Sequence, residues 1–595
     1  MLNRAAQSRV PVTRDITFPA PTKGWVKSGN IVTAGPDQAE VLDNFFPTAQ
    51  GVRLRGGYTD YAAIGVAVRR LFVHSSGTDT LFASTDAGIY NADRINLGGA
   101  VSADVYGLAG GDWSTVSLST AGGQFTLAMN GTDFAHYYDG TNWWPITTEA
   151  IFNVPYDALS AAFTVGETVT GGTSGATATI HSIVQTSATA GTLRVGAITG
   201  GPYQDNEALT SAAGAATANG ASSAGSTITV TNIDTPSLNQ CWLFKERIFA
   251  IEENSLSAWY LPIQSAGGAA TEIPLGALFK RGGRLLFGAT WSLDSGSGLD
   301  DVCLFVTDRG EVAVYQGTDP SSASTWALQG VYEIDAPLNK HAYFKAGGDL
   351  AVLTSDGIIP ISEALRKDRA ALQAVAISYP IEDAWKEAIA NRSAEFPFTA
   401  TLWQSQAFLI IGVPGSDNVA YVANARTGAW CRYTGWDVRC SAVANDLLYF
   451  ASNDGTVRKA ENGGTDGGTE YTGRYVPKFT DFGNSTRKMA MHAGITVKAS
   501  QEPIFGMSAF KDYQIGTYPA ITPLNTASGS TWGVGVWGTF VWGGNSTKNT
   551  YTRWKAVSAS GYSLAPVVVT SSNQTEKPTF EILATRLRFE TARSF

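Results

Sequence analysis

The side chains that could do chemistry are scattered along this chain of 595 residues. Its five histidines are His74, His136, His181, His341 and His492, and no two lie within five positions of each other. A lone imidazole in a strand or turn is more often packed than catalytic, so these read as structural. The four cysteines, Cys241, Cys303, Cys431 and Cys440, form no C-x-x-C pair. That spacing disfavours a metal knuckle, and the thiols read as small buried hydrophobes. There is no G-x-x-x-x-G-K-[ST], H-E-x-x-H or G-x-S-x-G stretch, and no alternating-Asp calcium loop. No catalytic residue, metal or cofactor is expected, and the chain does not read as an enzyme.

Three groups of residues still have to be weighed. Ser84-Thr85-Asp86-Ala87-Gly88-Ile89-Tyr90 approaches the Asp-box of sialidase-like propellers. Such a box is itself a turn device, with Asp accepting backbone N–H groups and Gly taking positive φ. A glycosidase would also need converging arginines, a tyrosine and a carboxylate, so the turn reading is preferred. Arg53, Arg55, Arg69 and Arg70 form either a solvated strand face or a docking edge for an acidic partner. Trp532, Trp537 and Trp542 recur at a step of five in Gly-rich sequence. Five matches neither helix nor strand periodicity, which places them on turns. Subunit interface or core is the better reading for them, and a glycan platform the lesser one.

The elements that must position these residues are short strands. Val302-Cys303-Leu304-Phe305-Val306 and Glu311-Val312-Ala313-Val314-Tyr315 flank an Asp-Arg-Gly turn. Asp349-Leu350-Ala351-Val352-Leu353 and Ile358-Ile359-Pro360-Ile361 flank Ser355-Asp356-Gly357. Branched and aromatic runs fit a pleated surface, and Asp-Gly turns supply positive φ. Gly310 and Gly357 lie 47 positions apart, a beat that reads as the blades of a β-propeller. Similar hairpins occur at 68–93, 112–146, 241–251, 284–318 and 398–460 and predict six or seven blades. Residues 155–232 break the beat. They are poor in aromatics and echo themselves, with 163–170 resembling 203–210. They read as a small inserted β domain and not as a linker. One helix is predicted from Pro380, its packed face carrying Ile381, Ala384, Trp385, Ala388 and Ile389.

Totals agree with an all-β structural protein. Charged residues are 16% of the chain, against about 25% in an average globular protein. Glycine (64) and aromatics (11%) are abundant. The net charge of −9 argues against a nucleic-acid reader, though not against a surface that DNA slides past. Residues 1–19 lack the apolar core of a signal peptide, and the longest apolar run, 407–413, is too short to span a bilayer.

One stretch carries a resemblance. Asp43-Asn44-Phe45-Phe46-Pro47-Thr48, followed by Gly51-Val52-Arg53-Leu54-Arg55-Gly56-Gly57-Tyr58, is similar to the opening signature of tail nozzle proteins of short-tailed bacteriophages, also called tail tubular protein B. With the propeller beat and the Trp-rich stretch near the end, the resemblance extends over nearly the whole chain. It implies a propeller with a β platform built from both chain ends: 1–62 as arm and platform part, 63–154 and 233–462 as propeller, 155–232 as the insert, and 463–595 as the rest of the platform. It further implies a virion protein assembled in the host cytoplasm. Six copies would form a ring below the adaptor of the head–tail connector, meeting tail fibre or needle proteins, with phage DNA passing the lumen without sequence-specific binding. Phe45, Phe46, Arg53, Arg55, Trp532, Trp537 and Trp542 are the candidate docking residues. The alternative is a carbohydrate-binding or depolymerising receptor-recognition propeller.

Overall fold

Hairpins of apolar runs around tight turns pair locally, so the chain builds many small antiparallel sheets. The computed structural model describes residues 13–29, 35–294, 299–322, 324–391, 397–415, 418–500, 502–521 and 548–591. The stretch holding Trp532, Trp537 and Trp542 lies outside the described residues.

Seven blades follow one another. The first is Val68–Ser75, Asp79–Thr85, Gly88–Asn91 and Val105–Tyr106. The second is Ser114–Thr120, Gly123–Met129, His136–Tyr138 and Trp143–Pro145. The third is Leu238–Phe244, Arg247–Glu252, Ser257–Tyr260 and Thr271–Pro274. The fourth is Leu285–Asp294, Leu299–Thr307, Glu311–Gly317 and Trp326–Glu333. The fifth has three strands, Tyr343–Ala346, Asp349–Thr354 and Gly357–Pro360. The sixth is Thr399–Trp403, Phe408–Gly412, Val419–Asn424 and Ala429–Thr434. The seventh takes Cys440–Ala444, Leu447–Ala451 and Thr456–Lys459, and its fourth strand, Thr59–Ala63, comes from the N-terminal side. The opening strands converge on one axis. Val68–Ser75 lies against both Ser114–Thr120 and Cys440–Ala444, which closes the circle. The protein is an all-β, seven-bladed propeller. The turn glycines Gly310 and Gly357 take φ of 80° and 134°, where an L side chain is strained.

The helix Glu382–Ala390 sits between the fifth and sixth blades. Trp385 Nε1 donates to the Thr354 carbonyl at 3.0 Å, and Tyr421 Oη donates to the Ala384 carbonyl at 3.2 Å. Pro380 does not open this helix; it lies in the 3-10 turn Tyr379–Ile381 just ahead of it.

The remaining strands make a sandwich at the sixth blade. In one sheet Thr13–Pro19 and Val52–Leu54 pair with Glu581–Thr591, then come Lys488–Ala499 and Asn549–Gly561. The other sheet runs on from the outer strand of the sixth blade through Ala39–Asp43, Tyr471–Pro477, Leu564–Ser572 and Gly506–Lys511. Phe45, Tyr475, Ile495, Val568 and Leu587 share one buried core with Phe408 and Trp430 of the blade. Both chain ends therefore form a platform fused to the propeller.

The insert hangs from the outer strand of the first blade, where Tyr106 pairs with Ile183. Its two echoing halves pair with each other, Thr170 opposite Thr210 and Gly171 opposite Leu209. Glu207 accepts from the Thr173 and Ser174 backbone N–H groups, and its echo Glu167 accepts from the Ser211 hydroxyl and the Ala213 N–H. Each half caps the other's turn, so neither is a linker.

Candidate functional site

The approaches to the opening strands frame one polar cavity of about 1030 Å³ at the mouth of the propeller axis. Every blade contributes: Arg69 and Asp86, Asp112, Glu253, Arg284, Lys340, Phe398, and Arg439. The floor is closed by contacts that cross the axis. Lys340 Nζ, from the fifth blade, donates to the Asp112 carbonyl at 2.7 Å and to Asn239 Oδ1 at 2.6 Å, on the second and third blades. His341 Nε2 donates to Asp112 Oδ1 at 2.8 Å. Just below, the Tyr343 ring stacks on Phe287 with centroids 4.6 Å apart, and its hydroxyl accepts from Gln240 Nε2 at 3.3 Å.

Electrostatics follow from this enclosure. Burial pushes the Asp112 carboxyl up, but His341, Lys340 and Arg70 outweigh it and hold it well below the usual carboxylate range. Burial, and then Arg70, push His341 down from 6.5 to about 4 despite the carboxylate beside it. The ring is neutral at pH 7 and the Asp112–Lys340 pair is ionic. The Asp112 side chain keeps 49% of its surface open, while Lys340 keeps 9%. Arg69 chelates Asp86, with its shortest contact at 2.6 Å; Arg284 meets Glu253 at 3.1 Å; Arg439 meets Asp437 at 2.6 Å. These lining cations are all neutralised by carboxylates, which is the wrong arrangement for a strip that grips phosphates. No group of three His, Cys, Asp or Glu side chains gathers as a metal-holding set among the described residues. None of the described helices is long and apolar enough to cross a membrane.

The candidate docking residues fall elsewhere, and three of them, Phe45, Phe46 and Arg55, are buried and need correction. Phe45 is fully buried, and Phe46 is buried and stacked on Phe408 at 5.2 Å. Arg55 is fully buried with all five N–H donors used: Asn44 Oδ1, the Gly56 and Thr434 carbonyls, and both oxygens of Asp466 at 2.7 and 2.6 Å. Arg53 donates to Glu461 at 2.9 Å; Glu461 is also held by Lys577 at 2.5 Å and by the Tyr433 hydroxyl at 2.9 Å. Burial pushes Glu461 up, and Arg53 and Lys577 override it to about 2. These four side chains lock the platform to the sixth blade and to the segment after the seventh; Phe45, Phe46 and Arg55 are buried and offer no face to a partner, while Arg53 keeps 27% of its side chain exposed. Arg69 and Arg70 belong to the axis, so the four arginines form no single edge.

The Asp-box turn also works differently from expectation. Thr85 Oγ1, and not Asp86, accepts from the Ala87 and Gly88 N–H groups, both at 3.1 Å. Asp86 is drawn away to Arg69. Gly88 has no positive φ, and a side chain there would strike the Val105 carbonyl.

His136 and His181 sit at the join of insert and propeller. His136 Nε2 shares a hydrogen bond with Ser182 Oγ at 3.1 Å, and His181 Nε2 donates to Glu149 at 2.9 Å. Burial pushes His136 down to about 4, which makes it a poor base. Sequence reasoning missed Asp112 and Lys340 and read His341 only as structural. A signal was present, because charged residues stand just ahead of several opening strands: Asp112, Arg284, Lys340 and Arg439.

No family model matches the chain, and no curated protein matches it. Similar solved structures include the computationally designed Ika8 protein, at 10% identity over 68% of this chain and 99% of that one, with a TM-score of 0.32. YCF48 from Cyanidioschyzon merolae matches at 11% identity over 68% and 98%, with a TM-score of 0.25. Saccharomyces cerevisiae Sqt1 matches at 12% identity over 68% and 98%, with a TM-score of 0.29.

Proposed function

We propose that the chain is a structural virion protein, the nozzle of a short phage tail. Six copies form a ring below the adaptor, continue the DNA channel and gate genome release. The reading is carried by one observation: both chain ends unite in a single platform fused to a closed propeller, which is the arrangement that the signature around Phe45 and Phe46 implies. The axis supports it indirectly. Lys340, His341 and Asp112 bar the propeller's own centre, so DNA would run between copies and each propeller would serve as a rigid wall block. Rigidity suits a part that holds pressure, and opening then comes from motion between blocks. A ring of six would carry six times −9, or −54. Repulsion of that kind keeps a duplex from sticking, since it is Lys and Arg contacts that create affinity for phosphate.

A receptor-recognition propeller is less well supported. The axial cavity is polar, but its aromatic, Phe398, is 2% exposed and gives a sugar no stacking platform. Electron microscopy of the purified protein or its parent tail tests the proposal. Sixfold rings are expected. A stable monomer within an intact tail, or capsule cleavage by the isolated chain, overturns it.

A further inference from the structure

Among the described residues, the outward-facing sheet of the platform ends in two open edges. One is Thr13–Pro19, which among the described residues pairs only with Glu581–Thr591. The other is Asn549–Gly561, 13 residues long, which among the described residues pairs only with Lys488–Ala499 and is exposed along most of its length. A long bare edge offers a row of unpaired N–H and C=O groups, which proteins normally cover or blunt. This one contains no proline; its register shifts once, between Ala559 and Ala556 opposite Ala490 and His492, and the pairing of Asn549–Ala556 is continuous.

Strand direction says what fits there. Thr13–Pro19 runs antiparallel to Glu581–Thr591, which runs antiparallel to Lys488–Ala499, which runs antiparallel to Asn549–Gly561. Four alternating strands leave the first and last pointing in opposite directions. The last strand of one copy can therefore meet the first strand of the next in antiparallel pairing, with neither copy inverted. We propose that copies of this chain join head to tail in this way, Asn549–Gly561 of one accepting Thr13–Pro19 of the next. Such a heterologous contact repeats, and it closes into a ring when its rotation divides the circle.

The two-fold alternative, one Asn549–Gly561 edge against another, is disfavoured on two counts. In full register it sets Lys555 opposite its own copy, since 555 is the midpoint of the strand, and like charges directly opposite are destabilising. It also leaves both Thr13–Pro19 edges bare. The junction rests on the reading above only for its copy number.

Cross-linking tests it. All four native cysteines are buried, so thiols added at the exposed positions Thr17 and Thr552 are the reactive ones. Thr17 lies in the outward row Thr17–Arg586–Gly494–Trp554, and Thr552 is two residues from the end of that row. Thr17→Cys and Thr552→Cys chains are co-expressed and treated with a short bismaleimide, which tolerates a shift of register. Cross-linked dimers are expected in the co-expressed sample and in neither variant alone. The chain bearing both substitutions should give a ladder that stops at the copy number of the ring. Cross-linking of Thr552→Cys alone overturns the proposal in favour of two-fold pairing. Rings without cross-links also overturn it, while leaving the nozzle reading intact. A ladder ending at a number other than six upholds the junction and refutes the sixfold nozzle. As a check free of substitutions, amide exchange along 549–561 should slow when monomers assemble; equal exchange in monomer and ring overturns the junction.

Discussion

Replacing Asp466 with Asn keeps the shape of the platform lock and removes its charge. Arg55 would remain fully buried and charged, with its two bonds of 2.7 and 2.6 Å to a carboxylate reduced to at most one to a neutral amide oxygen. Two unit charges about 4 Å apart attract by about 4 kcal/mol at an effective dielectric of about 20. Stranding one partner of a buried pair costs about 3–5 kcal/mol, so both routes give about 4 kcal/mol. With a urea slope of about 2–3 kcal/mol/M, the midpoint of the unit containing the junction should fall by roughly 1.3–2 M. Intrinsic fluorescence follows the transition, and hydrogen exchange over 52–57 and 461–475 locates it. The double variant Arg55→Met, Asp466→Leu replaces both charges with apolar volume and should recover most of the loss. A midpoint shift for Asp466→Asn below about 0.3 M, or less than about 1 kcal/mol at that slope, would refute the claim that this pair holds platform to propeller.

Three further outcomes follow from named contacts. Glu461 falls from 4.5 in the unfolded chain to about 2 in the fold, so its contribution is full above pH 4.5 and lost as pH drops toward 2; Glu461→Gln should flatten that acid limb in a pH series of denaturation midpoints. His136 and His341 shift in the same direction. Both drop from 6.5 to about 4, so the unfolded chain binds protons that the fold refuses, and stability declines as pH falls from 6.5 to 4. His341→Asn should remove part of that slope in thermal melts and leave the share of His136 and of His74, which burial also lowers. Ala62, 3% exposed in the strand that completes the seventh blade, should not tolerate Asp: burying an unpaired carboxylate costs several kcal/mol, about 3 or more, and limited proteolysis should then cut within 440–460.

The hairpins were legible because their contacts are local: Val306 and Val312 pair across a turn of a few residues. The insert's echo was legible for the same reason. What closes the ring was not, since Ala62 meets Val457 across nearly the whole propeller. Alternation correctly separated Val52 and Leu54 from Arg53 and Arg55, but it identifies two faces without saying which is wet. The second face is covered by Tyr433, Glu461 and Asp466, all contributed from some 400 positions away. The bridge between Asp112 and His341 spans 229 positions, and pattern reading has no access to such a pair.

The borrowed strand Thr59–Ala63 has a consequence for synthesis. Its partner Thr456–Lys459 leaves the ribosome some 390 residues later, a wait of roughly 20–80 s at about 5–20 residues per second. Throughout that interval the nascent disc is an open horseshoe, with a strand at one end and an empty slot at the other. Neighbouring nascent chains on one message could fill each other's slots. Completion of each polypeptide, and the spacing of ribosomes along the transcript, thus become part of how faithfully the particle is put together.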